Sequence, residues 1–334
     1  MSRFPCAGAV VTMSAPMARF ELIACAWVVG AANVPAIAAP QAPTGQPPPA
    51  RIITISPNSA EVICALGACD RIVGVDKFCV YPPEIVGKPK VGGLIDPDLE
   101  KIIVLRPDLL VLRGRNDALE KLCRSLDVPI HFDRTESLAD IPAAITDLGE
   151  RLGLNERAAA LAAEFESRLA AIRKRVAGHN RPRVFVTYSL AFRGADNFAN
   201  LLTAGKGMFL DEVITIAGGR NVFGDLDVKY PQVSPEAILA KQPEMVIELL
   251  PDVELTDELL SQVRAGWQKL GTFPAAGSGR IHVITDDHCL IPSPRYVDIV
   301  EKLSRLIHPE VHGDTGTDPP ADADRHPLRV PDPP

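Results

Sequence analysis

Two adjacent residues, His288 and Cys289, set an imidazole beside a thiol in the run Asp286-Asp287-His288-Cys289. Either could ligate a metal carried by a bound molecule, through a neutral ring nitrogen or as thiolate. The plainer alternative is a loop histidine next to a buried or disulfide-bonded cysteine. Arg113 and Arg115, in Arg113-Gly114-Arg115-Asn116, can meet carboxylates or an anionic metal chelate, or simply form a solvated rim. Tyr81 and Tyr230 each precede proline, which fixes the loop that presents the ring. Aromatics make up only 5% of the chain, so two tyrosines placed this way read as walls of a binding pocket.

Catalysis finds no support in the motifs. The chain lacks GxSxG, HExxH and a GxGxxG following a strand. Thr203-Ala204-Gly205-Lys206-Gly207 has neither the glycine spacing nor the Ser/Thr of a phosphate loop and reads as the start of a helix. The histidines at 131, 179, 282, 288, 308, 312 and 326 show no metal-ligand spacing. The expectation is a binding protein with no catalytic residue, no cofactor and no directly held metal.

The elements that must position these residues alternate. Short β-rich runs (51–55, 71–75, 108–112, 129–132, 183–189, 245–249, 281–285) are separated by helical patterns, the signature of parallel α/β architecture. Asn58 is expected to cap a helix from Ser59 to Leu66, and further helices fall near 116–126, 208–217 and 294–307. Between the halves, 137–178 carries no strand signal. Its second part, from Asn155 to Val176, is rich in the strongest helix formers and would reach roughly 33 Å. Two α/β lobes follow, at 51–136 and 179–309, each Rossmann-like with a central parallel sheet and joined by one long backbone α-helix. Trp267 reads as structural, and Cys64, Cys69 and Cys79 are close enough in sequence for a bridge among them.

The flanks read differently. Residues 1–38 form an export signal, with Arg19 before the apolar run 22–32 and small residues Ala36 and Ala38 at an A-x-A cleavage site. Leu22-Ile23-Ala24-Cys25 has the letters of a lipid-anchor box, but the apolar run follows Cys25 instead of preceding it, which favours a soluble exported form over a lipid anchor at Cys25. Residues 39–50 are a Pro-rich linker, and 310–334 is expected to be a disordered tail. The formal net charge of −7 carries no basic footprint for nucleic acid.

An internal match ties the lobes together. Asp98-Leu99-Glu100 to Pro107-Asp108 parallels Ser234-Pro235-Glu236 to Pro243-Glu244, 136 residues later, and each copy then enters an apolar strand. Asp98 and Ser234 are placed as N-caps, with an acid two residues on where the helix dipole favours it. The repeat presents Glu100 and Glu236 at equivalent surface positions, where a partner with symmetric basic pockets could read them.

With Arg51-Ile52-Ile53-Thr54-Ile55-Ser56-Pro57, Tyr81-Pro82-Pro83, Leu105-Arg106-Pro107-Asp108, Gly218-Gly219-Arg220-Asn221, Tyr230-Pro231-Gln232-Val233-Ser234 and Ser293-Pro294-Arg295, residues 51–309 resemble the periplasmic binding proteins of ABC importers for cobalamin, haem and ferric siderophores. The resemblance is closest to the vitamin B12 binders and implies the helical-backbone, class III architecture. It implies a monomeric exported protein whose Glu100 and Glu236 dock on the two permease subunits. The transported ligand would be a metal chelate: a corrinoid first, haem or a ferric siderophore otherwise. A secreted α/β enzyme or a sensor for a cofactor-like molecule is the alternative from another class. One cleft wall would come from Ser56, Pro57, Asn58, Phe78, Tyr81, Gly92 and Gly93, with Arg113 and Arg115 at the rim. Tyr188, Phe192, Tyr230, His288 and Cys289 would form the other. Two indoles expected of a cobalamin binder are missing, with Gly92-Gly93 near the first and His288 at the second.

Overall fold

The computed structural model describes residues 47–188 and 201–313. The export signal, Cys25, Phe192 and the chain beyond 313 lie outside the described residues.

The first lobe is built on four parallel strands, β1 (Ile52–Ile55), β2 (Ile72–Val75), β3 (Leu109–Arg113) and β4 (Ile130–Asp133), in the order β2-β1-β3-β4. Ile52 to Ile55 are all buried, as a parallel sheet covered by helices on both faces requires. The helices are α1 (Pro57–Ala65), α2 (Pro83–Val86), α3 (Leu99–Leu105) and α4 (Asp117–Ser125). Asn58 does not cap α1, contrary to expectation. Ser56 stands at the N-cap, Pro57 opens the helix, where a missing N–H costs nothing, and the Asn58 side chain is used elsewhere. A disulfide joins Cys64 to Cys69, while Cys79, Cys123 and Cys289 are free and buried.

A helical hairpin follows, α5 (Asp140–Leu152) and α6 (Asn155–Arg175). Buried Ala158, Leu161, Phe165, Leu169 and Ile172 recur every three or four residues along α6, one apolar stripe on a helix roughly 32 Å long. The polar face of α6 holds both lobes. Arg157 donates to the Leu66 carbonyl at the end of the first lobe's α1 (3.2 Å), and Arg168 pairs with Asp298 (2.6 Å) and Glu301 (3.2 Å) in the last long helix.

In the second lobe β5 (Arg183–Thr187), β7 (Arg220–Asn221), β9 (Met245–Leu249) and β10 (Ile281–Ile284) form a parallel sheet ordered β10-β9-β5-β7. Counting strands within each lobe, both sheets run second, first, third, fourth. The second lobe adds an antiparallel ribbon of β6 (Leu201–Leu202) and β8 (Gln232–Val233). Its helices are α7 (Phe209–Ile216), α8 (Pro235–Lys241), α9 (Asp257–Leu270), α10 (Pro274–Ser278), α11 (Tyr296–Ile307) and α12 (Pro309–His312). The expected disorder from 310 is corrected at its start, because Pro309 to His312 form a helical turn. One buried cluster runs from Ile52 and Ile63 through Phe165 to Tyr296 and Val300, so the lobes and the bridging helix share a core.

The repeat is structural. Helices α3 and α8 occupy matching positions, with Asp98 accepting from the Lys101 amide (3.0 Å) and Ser234 from the Ala237 amide (3.3 Å). Each helix closes on a left-handed residue, Arg106 (φ 45°) and Gln242 (φ 47°), and each leads into the third strand of its sheet. The acid after the proline has a matching task in both copies. Asp108 accepts from the amide of Arg51 at the edge of β1 (2.9 Å), and Glu244 from the amide of Arg183 in β5 (2.9 Å).

Candidate functional site

In open α/β sheets, ligand-facing residues gather at the carboxyl ends of the strands. At those ends in the first lobe, Ser56, Asn58 and Ser59 turn inward onto Asp133, the last residue of β4. Asn58 Nδ2 and Ser59 Oγ each donate to Asp133 Oδ2 (2.6 Å), and the Thr135 amide and hydroxyl donate to Oδ1 (2.9 and 2.7 Å). Burial works to raise the Asp133 pKa, yet the Arg113 charge and these hydrogen bonds outweigh it and hold the carboxyl below its ordinary value. Arg113 donates to the Thr135 carbonyl (2.6 Å). Ser56 and Asn58, 1% and 3% exposed, therefore lock the strand ends together and do not line the cleft, a correction to their expected role.

Beyond β2, the Asp76 carboxyl accepts from the Phe78 amide (2.7 Å), and burial raises its pKa to about 6. Phe78 is half-buried under Lys77. The Gly92 carbonyl accepts from the Lys77 amide, and Gly92 sits at φ +82°, where an added Cβ would lie 2.2 Å from the Asp96 carbonyl oxygen. Only glycine fits that turn. Gly93 beside it is buried against Asp96. Arg115 is exposed and paired in fork geometry with Glu120 (2.8 and 2.9 Å), on its own side of the lobe.

The facing wall holds Tyr188, Tyr230 and the loop after β10. Tyr188, after β5, and Tyr230, before β8, line a small apolar pocket with Met208, Leu210 and Leu290. The Tyr188 hydroxyl is buried with no hydrogen-bond partner among the described residues, and burial pushes its pKa well up. Lys229 beside Tyr230 reaches across to pair with Glu136.

The lobes meet most tightly at Arg295. Its guanidinium, a donor only, donates to Glu61 in α1 (2.5 and 2.9 Å) and to Asp287 (3.2 Å twice), while its carbon lies 3.4 Å above the Tyr81 ring. Tyr81 is joined to Pro82 by a cis peptide bond. Burial works against the Asp287 charge, but the His288 hydrogen bond and Arg295 outweigh it, leaving its carboxyl far below the usual range. An ionised carboxylate only accepts, so His288 Nδ1 donates to Asp287 (2.9 Å). The other ring nitrogen, Nε2, is buried and has no partner among the described residues. Cys289 is a correction. It is 0% exposed and its sulfur faces the Ile284 carbonyl (3.9 Å), because the loop folds back so that the Tyr296 hydroxyl can donate to the Cys289 carbonyl.

The sequence reading overlooked Glu61, Asp133 and the role of Arg295. A mid-helix acid in the apolar stretch of α1 was the available signal for Glu61, but its partner lies 234 residues away.

A model of the periplasmic binding protein family matches residues 52–287. The chain is 28% identical over 264 residues to the vitamin B12-binding protein of Vibrio cholerae serotype O1, covering 78% of this chain and 90% of that one. Among solved structures, the periplasmic heme-binding protein of Roseiflexus superposes with a TM-score of 0.65 at 28% identity, covering 78% of this chain and 98% of the other. The periplasmic vitamin B12-binding protein of Vibrio cholerae superposes with a TM-score of 0.64 at 27% identity, covering 78% and 96%. With two lobes of one topology on a single bridging helix and a family match over most of its length, this chain belongs to the periplasmic binding proteins.

Proposed function

We propose that the protein captures a corrinoid between its lobes and delivers it to an ABC importer, docking one acid of each lobe on each permease subunit. The observation that carries this reading is the repeat. Glu100 and Glu236 are both exposed, each two residues past an N-cap, on matching helices of two lobes that face each other across one helix. A symmetric permease dimer is the partner whose two basic pockets such a pair would fit. Tyr81, Tyr230 and Phe78 supply flat apolar walls, and the pocket under Tyr188 takes an apolar edge. The molecule acts by binding and not by catalysis, as an exported monomer whose signal occupies residues 1–38.

Titrating the mature protein with cyanocobalamin tests the cargo, and absence of saturable binding below about 10 μM overturns the corrinoid reading. A second cargo is favoured by one observation. The unpartnered His288 Nε2, its ring turned by Asp287, is what an axial ligand to a haem iron needs. Hemin binding with a Soret shift lost in His288→Ala replaces the corrinoid by haem. Glu100→Ala with Glu236→Ala abolishes uptake and spares ligand affinity. Unchanged uptake removes the docking role.

A further inference from the structure

Three side chains far apart in sequence meet where α6 ends. His179 follows that helix, His308 closes α11, and Glu310 lies in the first turn of α12. Their candidate ligand atoms all fall within 4.8 Å of one another.

The His308 ring is 3% exposed, with Nε2 3.1 Å from the Gly218 carbonyl oxygen. A carbonyl only accepts, so Nε2 carries the hydrogen and Nδ1 of the neutral ring carries the lone pair. That lone pair faces Glu310 Oε1 at 2.9 Å, and His179 Nδ1 lies 3.8 Å from the same oxygen. Two acceptors cannot satisfy one another, so either a proton on His308 Nδ1 or a cation must sit between His308 and Glu310. A proton on His308 serves one pair, whereas a metal ion serves all three groups. The pocket is shaped for the ring. Gly218 has φ +92°, and a Cβ there would lie 2.6 Å from His308 Nε2, so only glycine lets the imidazole seat against the carbonyl. Arg280, which feels the Glu310 charge, directs its guanidinium to the Leu306 and Ile307 carbonyls instead.

We propose that His179, His308 and Glu310 bind a divalent transition metal of the Zn²⁺ type. Two imidazole nitrogens and one carboxylate oxygen suit that ion, with water in the fourth position. The Gly218 carbonyl is the outer partner that fixes the His308 tautomer. No residue of the Arg295 cluster takes part, so the site is separate from cargo capture. The ion would staple the end of the bridging helix to the ends of α7 and α11, and so fasten the second lobe to its hinge.

The test is calorimetric titration of tag-free, chelator-treated mature protein with ZnCl₂, with thermal unfolding in parallel. The expected result is one saturable site with Kd below about 10 μM and a raised Tm. His179→Ala removes an exposed side chain without disturbing the core and should weaken binding about tenfold or more, as should Glu310→Gln. His131→Gln, in the other lobe, should leave zinc affinity unchanged. No saturable binding below about 100 μM, or an affinity untouched by His179→Ala, overturns the site.

Discussion

The two lobes share a topology and a repeat, yet one keeps its carboxylate's partners to itself and the other shares them across the cleft. In the first lobe the central carboxylate, Asp133, is met by hydroxyl and amide donors and by the charge of Arg113, all from its own lobe. In the second, Asp287 is met by Arg295, whose other side grips Glu61 across the cleft. One cluster rigidifies a lobe and the other makes the two lobes depend on each other. The third strands differ in the same spirit. Leu112 near the end of β3 has Glu248 at the matching position of β9, both fully buried. The same backbone therefore hosts an apolar side chain in one lobe and an acid in the other.

Removing the charge that joins the lobes should produce the largest effect. Arg295→Met leaves the buried Glu61 without its cation, a loss of about 3–5 kcal/mol in denaturant unfolding, while the part-exposed Asp287 keeps His288 and adds little. Adding Glu61→Leu should recover part of it, since a buried pair replaced by apolar groups is often near neutral. A loss of only a few tenths would mean that the lobes are not coupled through this knot.

Glu248 comes next, and its effect depends on pH. Burial raises its pKa from 4.5 to about 8, against the hydrogen bond from Trp267 Nε1 (2.5 Å). The folded state therefore keeps a proton that the unfolded state releases. The stabilisation is full below pH 4.5 and is lost as pH rises through about 8. One proton corresponds to about 1.4 kcal/mol per pH unit, so stability should fall by roughly 2–3 kcal/mol between about pH 5.5 and 7.5. Glu248→Gln keeps the acceptor for Trp267 and should flatten that slope. A slope that persists assigns the proton to another group, with Asp76 the first to examine.

These contrasts mark what the sequence could and could not announce. Strand runs, the bridging helix and the repeat were legible because apolar periodicity and caps are local. The partners of polar residues were not legible, because they are set by tertiary packing. Asn58 looked like a cap but faces Asp133, and Cys289 looked like a ligand but is enclosed. Trp267 was correctly read as structural, while the amphipathic helix around it, capped by Thr256, was passed over. His179, His308 and Glu310 show no ligand spacing because the fold, not the chain order, brings them together.

A smaller change tests the inward-facing cluster. Asp133→Asn puts an amide donor against Asn58 and Ser59, which already donate there, and should cost about 1–3 kcal/mol. Cargo affinity should not move, because the cluster closes on itself. A drop in affinity with unchanged stability would return Ser56 and Asn58 to the cleft wall.

The smallest effect falls on the repeat itself, where Asp98 and Ser234 cap their helices with different chemistry. Asp98 caps α3 as a carboxylate and pairs with Lys101 (2.8 Å). The Ser234 hydroxyl has two tasks, accepting from the Ala237 amide and donating to Glu236, and the second holds the Glu236 carboxyl below its ordinary pKa. Ser234→Ala should cost about 1 kcal/mol through the lost cap. It should also raise the Glu236 pKa in an NMR titration, since the donor that favoured the charged form is gone. If Glu236 does not shift, Ser234 serves only the helix.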